Sequence, residues 1–412
     1  MIIHHLIMRR KKIFLLIIIA GSILFFSYCF DFNNTNDPRG KSYAGSDACT
    51  PCHQQIAGSY FHTAHYQSAS LASLAAIAGS FSKDSNSFII NDTMKIAMEN
   101  REGIPYQVLY INGKQTNAQR FDIVFGHAKG QTYLYWKGDL LFQLPVSYFN
   151  SLHSWSSSPG YPPFDTVIFD RPIYARCFEC HTSYIKETLS QKEKALDKNT
   201  LICDIDCERC HGPAATHVSF HTAYPSQKEG KYIISYKSLS RSQKIDMCAV
   251  CHSGNKNLML RSAFAFKPGD TLSRFMLPGF NVSKLDVHGN QTQLLASSKC
   301  FRMSNMDCAT CHNTHINDRG SYAQYAQHCQ SCHSLGNHNF CKMADSSNIS
   351  FLKDNCTKCH MPEQSSNIIM VKTSKSKMNT PISMINHRIA VYPEETEKIM
   401  AFQKNKENEK KN

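Results

Sequence analysis

The sequence predicts a mainly α-helical and irregular fold with a small antiparallel β subdomain set into its N-terminal half. Three observations carry that expectation. The pattern C-x-x-C-H occurs seven times in 412 residues. Its copies are unevenly placed, one near residue 50 and six between residues 177 and 360. The stretch between the first two copies lacks the pattern and is rich in β-branched and aromatic runs.

The copies are Cys49, Cys52 and His53; Cys177, Cys180 and His181; Cys207, Cys210 and His211; and Cys248, Cys251 and His252. The remaining three are Cys308, Cys311 and His312; Cys329, Cys332 and His333; and Cys356, Cys359 and His360. C-x-x-C-H is the attachment signature of c-type haem. The two thiols add across the porphyrin vinyl groups, and the adjacent imidazole reaches the iron as its proximal ligand. From this composition chance would give about 0.04 matches in the chain. Zinc ribbons and disulfide frameworks also use paired cysteines, but neither requires histidine directly after every second cysteine. The expectation is therefore a multihaem cytochrome c fold with seven covalently bound haem c groups. The fourteen cysteines are the attachment points, and His53, His181, His211, His252, His312, His333 and His360 are the proximal iron ligands.

The elements follow in chain order. Residues 1–29 read as an export signal, or as a lipoprotein signal or anchor. Arg9, Arg10, Lys11 and Lys12 precede an apolar run from Ile13 to Phe26, broken only by Gly21 and Ser22. Haem attachment to C-x-x-C-H takes place outside the cytoplasm, so signal and motifs agree on an exported protein of the periplasm or outer-membrane surface. Cys29 is a candidate for an acylated lipoprotein residue, although Tyr28 is a poor match before it; an uncleaved anchor or a nearby cut are the alternatives. Residues 30–45 read as a flexible tether, and 46–82 as the first haem segment. Residues 83–170 form the β-rich subdomain, with turn signals at Asn112-Gly113 and Lys137-Gly138-Asp139, followed by an irregular connector from Ser156 to Pro163. Residues 171–392 are a six-haem domain of short helices and loops, with helix-forming composition from Ile185 to Lys198. Residues 393–412 are a charged tail expected to be disordered.

The formal charge of +13 raises the question of a nucleic-acid partner. Residues 1–28 hold four basic and no acidic residues, so the remainder has 41 basic against 32 acidic residues, or +9. Seven ferric bis-histidine haems would contribute about −7 through their propionates, leaving about +2. No nucleic-acid partner is expected. Arg171, Arg176 and Arg209 are candidate neighbours of propionates, or plain surface charges. Cys203, Cys300 and Cys341 lie outside the motifs, and Cys300 with Cys341 is the favoured disulfide in an oxidising compartment.

The second axial position decides function, because an iron closed by two histidines passes electrons while an open one can bind substrate. Eleven histidines remain beyond the proximal set and the leader: His62, His65, His127, His153, His217, His221, His288, His315, His328, His338 and His387. His315 stands three residues after His312, so the two point to one side of a helical turn and cannot straddle one macrocycle. His315 therefore serves a different iron or none.

The segments Tyr43–Cys49, Cys207–Pro213 and Asp307–His315 resemble multihaem cytochromes of the cytochrome c-554 type. That superfamily includes octahaem hydroxylamine oxidoreductase and pentahaem nitrite reductase, and the likeness runs over most of residues 43–392. It implies that a histidine shortly after one motif ligates a neighbouring haem, which maps onto His65, His217 and His315. It also implies ligand roles for His288 and His387, with His127 and His338 taking the last two distal positions. The active-site C-x-x-C-K of the nitrite reductases is absent here, and no tyrosine can be assigned the cross-link of hydroxylamine oxidoreductase. The resemblance thus implies fold and cofactor more than catalysis.

The leading expectation is a heptahaem electron carrier, mostly bis-histidine and without catalytic residues. Its partners would be redox proteins, a quinol-linked donor or a terminal reductase, with membrane attachment through the N-terminal segment. The alternative is an oxidoreductase for a small nitrogen or sulfur oxyanion (nitrite, hydroxylamine or tetrathionate) at one open haem. The isolated first motif is where that opening would be sought.

Overall fold

The computed structural model describes residues 37–409 apart from 162–166, 168, 191–192, 255, 280–284, 337–338 and 377. Cys29, the whole N-terminal apolar run and His338 lie outside the described residues.

Eleven described strands fill residues 69–173. They are β1 (Ala69–Leu71), β2 (Ser87–Ile89), β3 (Met94–Arg101), β4 (Ile104–Ile111), β5 (Lys114–Arg120), β6 (Ile123–Phe125), β7 (Gly130–Lys137), β8 (Leu140–Gln143), β9 (Val146–Phe149), β10 (Ser154–Ser157) and β11 (Arg171–Ile173). The first sheet is a four-stranded antiparallel meander, β2-β3-β4-β5. Two-residue loops close it, because Arg101 pairs with Ile104 and Ile111 with Lys114. Both residues of each loop have positive φ, Glu102 at 53° with Gly103 at 85°, and Asn112 at 50° with Gly113 at 76°. That is the type I′ geometry that matches strand twist and that Asn-Gly favours. The second sheet runs β1-β6-β7-β8-β11, with β9 also pairing β7 and β10 pairing β9.

The inner faces of these strands bury Phe88, Ile96, Met98, Leu109, Phe121, Tyr133 and Trp155 in one cluster. Trp155 is its hub. Its ring centroid lies 6.2 Å from that of Phe81, 6.4 Å from Phe121, 5.7 Å from Tyr133 and 5.4 Å from Tyr148. Its Nε1–H donates to the Ser80 carbonyl at 3.0 Å. Gly79 lies so close beneath the indole that a Cβ would stand 2.1 Å from it.

A second cluster joins the outer sheet to the rest. Ile123, Phe125, Leu134 and Leu141 pack against Phe178, Ile185 and Leu196. Phe178 sits between the two cysteines of the second motif, so this cluster seats that motif on the sheet.

Beyond residue 173 the chain combines short helices with three more hairpins, so β structure is more widespread than a single inserted unit. They pair β12 (Tyr184–Ser190) with β13 (Glu193–Ile202), β14 (Leu258–Met259) with β15 (Met276–Leu277), and β16 (Glu363–Val371) with β17 (Thr380–Ile385). The first of these replaces the helix expected from Ile185 to Lys198. Ile185 and Leu196 are buried against the outer sheet, and cross-strand pairing with that packing outweighs local helix propensity. The tail expected to be disordered is helical from Pro393 to Glu409. Proline in the first turn and Glu394 and Glu395 at the positive end favour its start, and Lys398 pairs with Glu395 at 2.7 Å. No described helix is long and apolar enough to cross a membrane.

Replacing Trp155 by alanine should destabilise the protein by about 3–5 kcal/mol, the range for emptying a large aromatic site. Urea denaturation followed by circular dichroism measures it.

Candidate haem-binding sites

Four motifs sit where an α-helix ends. Helices Ala175–His181, Cys207–His211, Arg241–His252 and Cys356–His360 each stop on the motif histidine. A helical turn carries the two cysteines, three residues apart, along one face and brings the histidine round beside them. Starts are capped where the sequence provides for it. Asp206 accepts from the Arg209 backbone N–H at 2.9 Å, and Ser240 and Gln243 form a reciprocal capping box.

The structure sets four imidazole pairs apart by gaps of one size. His53 and His217 have ring centroids 6.4 Å apart with planes at 14°. His65 and His252 stand 6.1 Å apart at 89°, His211 and His315 6.0 Å at 19°, and His312 and His387 6.3 Å at 30°. With Fe–N bonds of about 2 Å and a centroid about 1.1 Å beyond each nitrogen, two axial imidazoles of one iron stand about 6.2 Å apart. The gaps therefore fit a planar macrocycle.

The tautomers fit too. The Nδ1–H of His211 donates to the Ile234 carbonyl at 3.4 Å, that of His217 to Lys231 at 2.7 Å, and that of His333 to Asn339 at 3.2 Å. His360 donates to Ala390 at 2.8 Å and His387 to Ile385 at 3.3 Å. A carbonyl only accepts, so each proton is on Nδ1 and the Nε2 lone pair is left for a metal. Burial holds His65, His181 and His387 down to a pKa of about 4, and a neutral imidazole is the form that ligates.

Two buried polar atoms without a partner also mark the motifs. Arg209 Nε is inside the third and Thr357 Oγ1 inside the seventh, where haem propionates could satisfy them. Among the described residues no three His, Cys, Asp or Glu side chains converge as a tetrahedral zinc site would need.

Cysteines of different motifs meet. The thiols of Cys49 and Cys207 lie within hydrogen-bonding reach, as do those of Cys180 and Cys251, Cys248 and Cys308, and Cys329 and Cys356. Cys210 is within electrostatic reach of Cys248 and Cys251, and Cys311 of Cys329.

Of the distal candidates, His65, His217, His315 and His387 are in the facing pairs. His288 is near His181 and His252, and its backbone N–H donates to the buried Asp286 at 2.8 Å. His127 is on the exposed bend after β6, in the field of Arg319, and among the described residues no ring contact joins it to another imidazole. Nor do the described residues place one opposite His333 or His360.

Other expectations are corrected. Cys300 and Cys341 are free thiols, as is Cys203. Cys300 lies near Cys311 and Cys329, and Cys341 near Cys359, so they belong to different motifs. The three arginines named as candidate neighbours of propionates also donate to protein groups. Arg171 donates to Gln143 and to the Pro159 carbonyl, Arg176 to Glu179 at 3.2 Å, and Arg209 to the Glu179 carbonyl at 3.1 Å.

The sequence reading missed Arg39, which it placed in a flexible tether. Its guanidinium is buried with Asp37 at 2.9 Å, Asp206 at 2.7 Å and Glu208 at 3.0 Å. Glu208 also accepts from the backbone N–H groups of Ala44 and Gly45 at 2.9 Å and of Ala214 at 2.8 Å. This knot ties the segment before the first motif to the third. A positively charged residue four positions before an aromatic was its only trace in the sequence, the guanidinium lying 4.2 Å from the Tyr43 ring.

A family model described as cytochrome c554 and c-prime matches residues 168–212, which hold the second and third motifs. The crystal structure of the outer cell wall cytochrome OcwA is similar over 86% of this chain and 81% of that one, with a TM-score of 0.51 and 16% identity. The chain is a multihaem c-type cytochrome. An undecahaem cytochrome from the S-layer of Carboxydothermus ferrireducens aligns over 78% of this chain and 51% of that one, with a TM-score of 0.39 and 14% identity. No curated protein sequence matches the chain. In this cytochrome, haem c is bound covalently, and the motif cysteines are the groups suited to hold it.

Replacing Arg39 by alanine should cost the cytochrome about 3–5 kcal/mol, because Asp206 and Glu208 would stay buried without their cation. Limited proteolysis should then cut between residues 37 and 48, and denaturant midpoints measure the loss.

Proposed function

We propose that this cytochrome carries seven haem c groups and passes electrons between redox proteins outside the cytoplasm. The observation that carries the reading is the set of four imidazole pairs spaced 6.0–6.4 Å apart, each joining one motif histidine to a histidine from a remote segment. Haem supplies an iron that cycles between Fe(III) and Fe(II). His53 with His217, His252 with His65, His211 with His315, and His312 with His387 would each hold one iron from both sides and bar substrate from it. His288 is the nearest candidate for the face opposite His181. His127 and His338 stay the candidates for the irons of His333 and His360.

The thiol contacts support an order for the path. The first motif adjoins the third, the fourth the fifth, the sixth the seventh and the second the fourth, while the third and fourth, and the fifth and sixth, are within electrostatic reach of each other. Electrons would enter from a quinol-linked donor at one end and leave to a terminal reductase or acceptor at the other. OcwA, which shares the fold, is named for the outer cell wall, and the N-terminal basic and apolar run favours export of this chain too.

His217 stands opposite His53, so the first motif is an unfavourable place for an open, substrate-binding iron. The oxyanion reductase reading would need one at the second, sixth or seventh motif.

Intact mass of the mature protein should exceed the polypeptide by seven covalent haems; six or fewer would refute that count. Replacing His315 by alanine should turn one haem high-spin in the oxidised EPR spectrum while all seven stay attached. An unchanged low-spin count would refute the pairing with His211. A high-spin iron in the unaltered protein, with turnover of nitrite or hydroxylamine, would favour the reductase reading.

A further inference from the structure

His312 differs from the motif and facing histidines whose Nδ1 partners are described above. Those donate to neutral backbone carbonyls, whereas the Nδ1 of His312 faces a phenol and a carboxylate. Tyr325 Oη lies 3.5 Å from it and Asp318 Oδ2 3.9 Å from it. Tyr325 also lies beside Asp318, whose carboxylate acts on its phenol, and its ring meets the imidazole edge-on, with centroids 5.4 Å apart. The Asp318 side chain is 11% exposed, so its charge is poorly screened by water.

The geometry points to Asp318, reinforced through Tyr325, as the residue that lowers the reduction potential of the iron held by His312. A hydrogen-bond acceptor at Nδ1 makes the ligating nitrogen more basic. A negative acceptor does so more strongly than a carbonyl and also favours the charged Fe(III) state. Tyr325 can accept from Nδ1–H while donating to Asp318, which passes the carboxylate's pull to the imidazole. Opposing groups are present. Burial acts on His312 with the other sign, as do Arg319 and His328, each of these two more weakly than Asp318.

In the motif order, His312 belongs to the fifth position, between the fourth and sixth, so Asp318 acts within the path rather than at an end. The inference rests on the reading that His312 and His387 share one iron, and two arms of one experiment separate the two.

The test is a redox titration of the full-length holoprotein followed by EPR. His387→Ala should convert one low-spin ferric signal to high-spin and so identify the iron of His312. Asp318→Asn, nearly the same shape without the charge, should shift the midpoint of that one signal positive and leave the others in place. Tyr325→Phe, which keeps the ring contact, should shift the same signal positive by less. If His387→Ala leaves every iron low-spin, the shared iron is wrong. If it converts one iron but Asp318→Asn and Tyr325→Phe leave its midpoint unmoved or move it negative, the role of Asp318 is overturned.

Discussion

The gap of about 6 Å between facing imidazoles is the constraint on which the rest of the chain depends. Each of the four pairs draws its rings from segments remote in sequence. In the proposed reading both rings of a pair are neutral. Carbonyls of Lys231, Ile234 and Ile385 accept Nδ1–H from His217, His211 and His387, and that of Ala390 accepts from His360.

Much of this arrangement was legible in the sequence because its signals are local. The C-x-x-C-H copies mark fourteen cysteines and seven histidines as candidates by spacing alone. Asn112-Gly113 was a visible turn because only a few residues accept positive φ at both positions of a two-residue loop. The spacing of His312 and His315 ruled out a shared iron before any coordinates, and the structure turns His315 toward His211 and His387 toward His312.

What escaped the sequence depended on partners far away. The hairpin β12–β13 carries helix-forming residues, yet Ile185 and Leu196 find their burial only against the outer sheet. Arg39 looked like one more charge in a polar tether, because Asp206 and Glu208 come from the third motif. The Cys300–Cys341 pairing failed for the same reason: the two thiols lie beside different motifs.

Cross-ligation and the thiol contacts bear on each other. A motif that supplied both axial ligands to its own iron would be an independent bead, free to drift from its neighbours. Here the segment from His312 to His315 contacts two different facing rings, His387 and His211, so the fifth and third motifs cannot separate without parting a pair. His65 likewise ties the first segment to the fourth motif, and His217 ties the third to the first. These ties bring Cys49 to Cys207 and Cys248 to Cys308. In the proposed reading, the same histidines that close each iron to substrate therefore hold adjacent irons at short range. Closing the irons and building the path are then one structural act, and a change that opened one iron would also loosen the motif beside it.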